Sequence, residues 1–206
     1  MVKLSGESDT ILLDLDDTFV KTEDLLRRML KAEGLTVPTN ESVYMLRWRN
    51  KDVYSEIMEE IFSNYENLDE KDYTDGALEA LNLLKTEYNV IFCSCYLNES
   101  ERASKKRLAE SLETPIILVD SSDFSKSSVD SKGKIVIDDS IEVLQNSKAK
   151  LKLQMFNRYN TCGLTYREYL VGDHLIKNLS EAVDYLIGGD INDKCKNFRR
   201  TLYPRI

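Results

Sequence analysis

Asp14-Leu15-Asp16-Asp17-Thr18 closes one short apolar run, and Asp138-Asp139 closes another. In a strand, residues two apart share a face, so Asp14 and Asp16 can both point into one crevice. Carboxylates that close repel each other unless a cation lies between them. Mg2+ suits such all-oxygen surroundings and commonly keeps waters and a substrate phosphate among its ligands. The two acidic pairs can therefore clamp one metal. An Asp-x-Asp triplet alone is weak evidence in an acidic chain, where it also arises as a helix cap or a solvated turn. The one histidine, His174, excludes His-rich metal sites and disfavours a serine–histidine or cysteine–histidine nucleophile. Whatever chemistry occurs is expected to run on carboxylates.

The elements that must position these acids follow from hydrophobic spacing. Thr10–Leu15 reads as a strand. Leu25, Leu26, Met29 and Leu30 mark a helix that Gly34 ends, after which 37–40 is a loop. Helices are expected over 41–49 and again where Val53, Tyr54, Ile57, Met58, Ile61 and Phe62 form one apolar face. Residues 64–73 are polar and turn-rich. A helix opens at Asp75-Gly76, and 89–95 is a strand. Asn98 with Glu101 forms a capping box for a helix reaching about Leu112. Strands are expected at 115–119, 134–137 and 150–156, the last with one wetter face. The loop 120–133 is rich in serine, 141–145 is a short helix, and 180–187 is a final helix with Gly188 as its C-cap. From residue 75 onward strands alternate with helices. This predicts an α/β fold, a doubly wound, parallel, Rossmann-like sheet with right-handed crossovers. The stretch 22–72 is a small helical cap inserted after the first strand; 1–21 and 73–188 form the core, and 189–206 a tail.

The chain has 206 residues, with 28 Lys+Arg against 36 Asp+Glu and a formal charge of −8. That balance argues against stable binding to nucleic acid or to an anionic membrane. No apolar stretch is long enough to span a bilayer, and the start lacks the apolar region of a signal peptide. Cys93 and Cys95, two apart in an apolar run, read as small buried hydrophobes rather than a disulfide or a zinc knuckle. A reducing, cytoplasmic location is expected. The tail carries five Lys/Arg against two Asp and reads as a solvated or loosely docked terminus.

These motifs, in this order, resemble the haloacid dehalogenase (HAD) superfamily of phosphotransferases. ILLDLDDT resembles its first motif, with Asp17 where glycine is frequent. VIFCSC, with Ser94, resembles the second. Lys126 in DFSKSSVD is the best match to the third, with Lys132 and Lys134 as fallbacks, and KIVIDD resembles the fourth. The resemblance implies a Mg2+-dependent phosphatase. Asp14 would be the nucleophile, Asp16 the acid and base, Ser94 a donor to a phosphoryl oxygen, and Lys126 a positive charge beside it. Asp14, Asp138, Asp139 and the backbone carbonyl of Asp16 would serve the metal. An acid at position 16 favours a phosphatase over a dehalogenase.

The cap position and size favour a small phosphorylated metabolite. A further similarity to the 5′(3′)-deoxyribonucleotidase family rests on DGALEALNLLKTEYNVIFCSC, the spacing from Lys126 to Asp138 and the run into MFNRYNT. It implies a 5′-nucleotidase acting on a nucleoside monophosphate. Thr18 and Phe19 follow the first motif and Trp48 lies in the cap; these are the substrate-facing candidates, although Trp48 reads more readily as cap core. Tyr44 and Tyr96 are weaker ones. A homodimer is compatible with the sequence. Two alternatives compete: a polynucleotide end-phosphatase, which the basic tail suits and the acidic balance opposes, and a non-catalytic binding module that has kept the fold.

Overall fold

The computed structural model describes residues 9–35, 37, 42–43, 51–121, 126–159 and 166–188. Six strands form one sheet: β1 Thr10–Leu13, β2 Asn89–Tyr96, β3 Ile116–Asp120, β4 Ile135–Asp138, β5 Leu151–Met155 and β6 His174–Ile176. Their order is β3-β2-β1-β4-β5-β6, and every pairing is parallel. The chain winds outward from β1 to one edge and then from β4 to the other. The direction of winding therefore reverses between β1 and β4, and a crevice opens beyond their carboxyl ends. Both acidic pairs stand at that point.

The helices are α1 Thr22–Ala32, α2 Lys51–Phe62, α3 Ala77–Glu87, α4 Glu99–Ser111, α5 Ile141–Asn146, α6 Tyr166–Tyr169 and α7 Leu179–Leu186. The central strands are buried on both faces because helices cover both. On one face Ile11, Leu13, Phe92, Ile135 and Ile137 pack beneath α3, α4 and α7; on the other Leu12, Cys93, Val136 and Leu144 form a smaller cluster. The first cluster runs without a break into Leu26, Leu30, Ile57, Met58, Ile61 and Phe62 of α1 and α2. The helices inserted after β1 thus share the core of the sheet.

The chain leaves for α1 and returns to α3 through two adjacent links. Lys21 N donates to Asp72 O at 2.8 Å, Thr74 N to Phe19 O at 2.8 Å, and Thr74 Oγ1 to Thr18 O at 2.9 Å.

Several expectations shift in detail. β1 stops at Leu13, two residues early. Gln154 on the supposedly wet face of β5 is fully buried; its amide donates to Tyr169 O and accepts from Val171 and Gly172 N–H, so polar groups of the 169–172 link cover that face. β6, only three residues long, was not foreseen. Asn98 does cap α4, accepting from Glu101 N at 2.8 Å, but the Glu101 carboxylate reaches Leu97 N rather than Asn98 N. Gly188 does follow the last helix. Its N–H donates to Asp184 O at 3.1 Å, and a Cβ there would lie 2.5 Å from that oxygen. The helix expected at 41–49, the tail at 189–206, and Cys162 and Cys195 lie outside the described residues, apart from 42–43.

Candidate active site

Asp14 continues β1, where its N–H donates to Ile137 O at 3.0 Å. That bond draws the ends of β1 and β4 together and brings Asp14, Asp138 and Asp139 into one buried group. One oxygen from each carboxylate lies within 4.8 Å of the others. Lys126 enters from the turn 126–128 and bridges them, with Nζ 2.6 Å from Asp14 Oδ1 and 3.0 Å from Asp138 Oδ2. The other Asp14 oxygen, Oδ2, is buried with no hydrogen-bond partner. Buried polar groups are ordinarily satisfied, so this atom marks a place for a ligand. Three carboxylates, one of them with an unpartnered oxygen, are what a hard divalent cation takes. The residues present therefore fit Mg2+.

The electrostatics agree. Burial, with Asp138 and Asp16 nearby, raises the Asp14 carboxyl to about 7 against the pull of Lys126. Burial and the charge of Asp14 likewise raise Asp139 to about 7. Asp138 is shifted upward too, mainly by burial. One lysine does not neutralise three buried acids. Asp139 is oriented by Asn157, whose Nδ2 donates to Asp139 Oδ2 at 2.8 Å; Asn157 is itself fixed by Tyr169 OH and Tyr159 N.

Asp17 adopts φ +56°, in the left-handed region that glycine enters most easily. That accounts for the glycine frequent at this place in the motif. Asp tolerates it, and here its carboxylate accepts from Glu23 N at 2.7 Å at the start of α1. Asp17 also lines the cleft, a role sequence reasoning did not give it.

Asp16 is held by four donors. Oδ1 accepts from Thr22 Oγ1 at 3.1 Å and from the Tyr65 hydroxyl; Oδ2 accepts from Lys105 Nζ at 2.7 Å and Ser94 Oγ at 3.1 Å. Burial alone would raise its carboxyl, but Lys105 overrides it and holds the group below its ordinary value.

Of the three candidate lysines, Lys126 is the one that reaches the acids. The fallbacks do not reach the acids: Lys132 is exposed, and Lys134 Nζ bonds Asp130 O. Three expectations need correction. Ser94 is fully buried, and its hydroxyl is committed to Asp16 rather than to the cleft. Phe19 does not face a substrate. Its N–H and that of Val20 both bond Leu15 O, and this tight turn sends the ring into the core between Tyr73 and Phe92. Thr18 is fully buried as well. Trp48 and Tyr44 lie outside the described residues, whereas Tyr96 lines the cleft.

Sequence reasoning missed Tyr65, Lys105 and Asn157. Tyr65 sat in a polar segment with no pattern to mark it. Lys105 left a faint trace: α4, ESERASKKRLAES, has too few apolar residues to cover a sheet, so its buried face had to be polar.

Above the acids lies a cleft of about 520 Å3. Met58 and Phe62 of α2 and Tyr96, Leu97 and Ile141 contribute apolar surface to its lining beside the carboxylates.

Neither protein-family models nor curated proteins match this sequence. Solved structures do. YfnB of Bacillus subtilis, a proposed HAD-hydrolase bound to magnesium, matches with TM-score 0.57 at 14% identity, over 88% of this chain and 100% of that one. A proposed beta-phosphoglucomutase from Thermotoga maritima matches with TM-score 0.55 at 15% identity, over 88% and 100%. The haloacid dehalogenase-like hydrolase SP0104 of Streptococcus pneumoniae matches with TM-score 0.53 at 16% identity, over 86% and 97%. The chain therefore has the α/β, Rossmann-like fold of HAD-superfamily hydrolases.

Proposed function

We propose that the protein is a Mg2+-dependent phosphatase that hydrolyses a small phosphate monoester, a (deoxy)nucleoside monophosphate being the leading class, through an aspartyl-phosphate. The observation that carries this reading is the buried, unpartnered Asp14 Oδ2 beside Asp138 and Asp139, with Lys126 bridging two of the three acids. Asp14, Asp138 and Asp139 would hold the cation, with the Asp16 carbonyl as a further donor. When bound, Mg2+ supplies charge neutralisation for the phosphoryl oxygens.

A carboxylate oxygen of Asp14 attacks phosphorus as the bond to the leaving oxygen breaks. The acid step requires Asp16 to take up a proton against the pull of Lys105; it passes that proton to the leaving oxygen, then takes one from the water that cleaves the new phosphorus–oxygen bond to Asp14. Lys126 stabilises charge on the transferring group. The apolar part of the cleft lining gives an organic leaving group a surface to rest on, with Tyr96 as a stacking partner for a base. Lys126 is the only Lys or Arg lining the cleft among the described residues, which favours a monoester over a polyphosphate.

The test is a phosphate-release screen over nucleoside and sugar monophosphates, with Mg2+ and with EDTA. Release that requires Mg2+ and vanishes in Asp14→Asn is expected. Unchanged turnover in Asp14→Asn would exclude the covalent route, and turnover surviving full chelation would exclude the metal.

A further inference from the structure

Lys105 is a lysine at 1% exposure on α4, and it takes no direct part in the chemistry described above. A buried ammonium is costly unless paired and hydrogen-bonded. This one is surrounded by acceptors: Asp16 Oδ2 at 2.7 Å, Glu101 Oε1 at 2.8 Å, Cys95 O at 2.7 Å and Ser94 Oγ at 3.0 Å. It also lies 5.1 Å from the Tyr65 ring centroid. Glu101, one turn back on the same helix, already supplies the counter-charge that a merely structural lysine needs. Both carboxylates line the cleft, but Asp16 belongs to another element, beside the acids that end β1 and β4.

The contacts also order the neighbouring hydroxyl. Lys105 donates to Ser94 Oγ, and Ser94 Oγ in turn donates to Asp16 Oδ2, the nearer of its two acceptors. Lys105 thus reaches Asp16 directly and through Ser94. The same helix face docks the return from α2, where Ser104 Oγ accepts from Tyr65 N at 2.6 Å. Tyr65 in turn donates to Asp16 Oδ1. Lys105 does not line the cleft, so it acts through Asp16 and not on substrate.

We infer that Lys105 is a positioning residue of the reaction, fixing the Asp16 carboxylate in the orientation from which it takes the proton of the hydrolytic water. The inference rests on the phosphatase reading and assigns the second half-reaction to this network. Breakdown of the aspartyl-phosphate needs an oriented base. Departure of p-nitrophenolate, a good leaving group, needs no proton.

The experiment compares wild type, Lys105→Met and the double variant Lys105→Met/Glu101→Gln with p-nitrophenyl phosphate and Mg2+. The double variant removes the counter-charge together with the lysine and keeps an acceptor for Leu97 N, so it remains folded if the single variant is not. Expected is a retained stoichiometric burst of p-nitrophenolate, then a steady-state kcat lowered about 10²-fold. KM should fall in proportion, leaving kcat/KM within about 3-fold of wild type, as uncoupling of the second step requires. Equal losses in kcat and kcat/KM, or an unchanged kcat, would overturn the inference. A crystal structure of the folded variant decides it without turnover: the Asp16 carboxylate should leave its contacts with Ser94 and Tyr65, and an unmoved carboxylate overturns the positioning role. Wild-type protein releasing no phosphate from any monoester would instead sink the phosphatase reading.

Discussion

At the scale of single residues, the site is built from acids that burial makes reluctant to ionise. Asp14 and Asp139 titrate near 7 in the folded chain, against 3.8 for an ordinary aspartate. Between about pH 4 and 7 the metal-free fold therefore holds more protons than the unfolded chain, and its stability falls as pH rises through that window. Bound Mg2+ displaces those protons. The rise in melting temperature on adding Mg2+ should accordingly be larger near pH 8 than near pH 5.5, as scanning fluorimetry would register; equal shifts would dissociate these carboxylates from the metal. Asn157 fixes one of them. Asn157→Ala should weaken Mg2+ binding about 10-fold in titration calorimetry, in line with losses of partners behind metal ligands. Asp14, Asp138, Asp139 and Lys126 were legible because each motif ties a residue type to the end of a strand or to a fixed stretch upstream of one. Phe19 was not, because the alternation that places a residue facing the crevice stops at Leu13 and the turn on Leu15 O redirects everything after it.

At the scale of elements, α4 does more than cover the sheet. Its N-terminus is fixed by Asn98, and three turns of its inner face carry Glu101, Ser104, Lys105 and Leu108. Asn98→Ala should cost about 1 kcal/mol, as removal of a helix N-cap does, and lower the melting temperature by about 2–4 °C for a protein of this size. A shift near zero would show that Glu101, bonded to Leu97 N, caps the helix unaided. The strands with long apolar runs were readable from their residues alone. β6 was not: His174-Leu175-Ile176 is too short to carry a period, and only its pairing with Leu153–Met155 makes it a strand. Gln154 misled for a related reason. Its polarity implied water, whereas the 169–172 link supplies all its partners.

At the scale of the whole molecule, the parallel, doubly wound character of the sheet followed from alternation of strands and helices; its strand order did not, and the reversal of winding between β1 and β4 explains why two distant acidic pairs meet. The inserted helices were legible as an insertion, but not as sharers of the sheet's core, because sequence periodicity shows that a face is apolar and not what it rests on. Ile57, Met58, Ile61 and Phe62 join the same apolar cluster as Leu13 and Phe92. Ile61→Ala should therefore destabilise the whole fold by about 2–5 kcal/mol in a single transition. Two separate transitions in a denaturant titration would mean that the insertion unfolds on its own.

The chain departs and re-enters at a doorway one peptide wide, where Lys21 and Asp72, and Phe19 and Thr74, are joined by backbone hydrogen bonds. Everything between is a loop whose ends are already closed, and the entropy of such a loop grows only with the logarithm of its length. Evolution can thus lengthen, shorten or replace this portion without retuning the strand register on either side. The constraint on any replacement is its apolar face, which must bring enough oily surface to complete the shared cluster. The doorway leaves the size of that segment free, and the cluster fixes its chemistry.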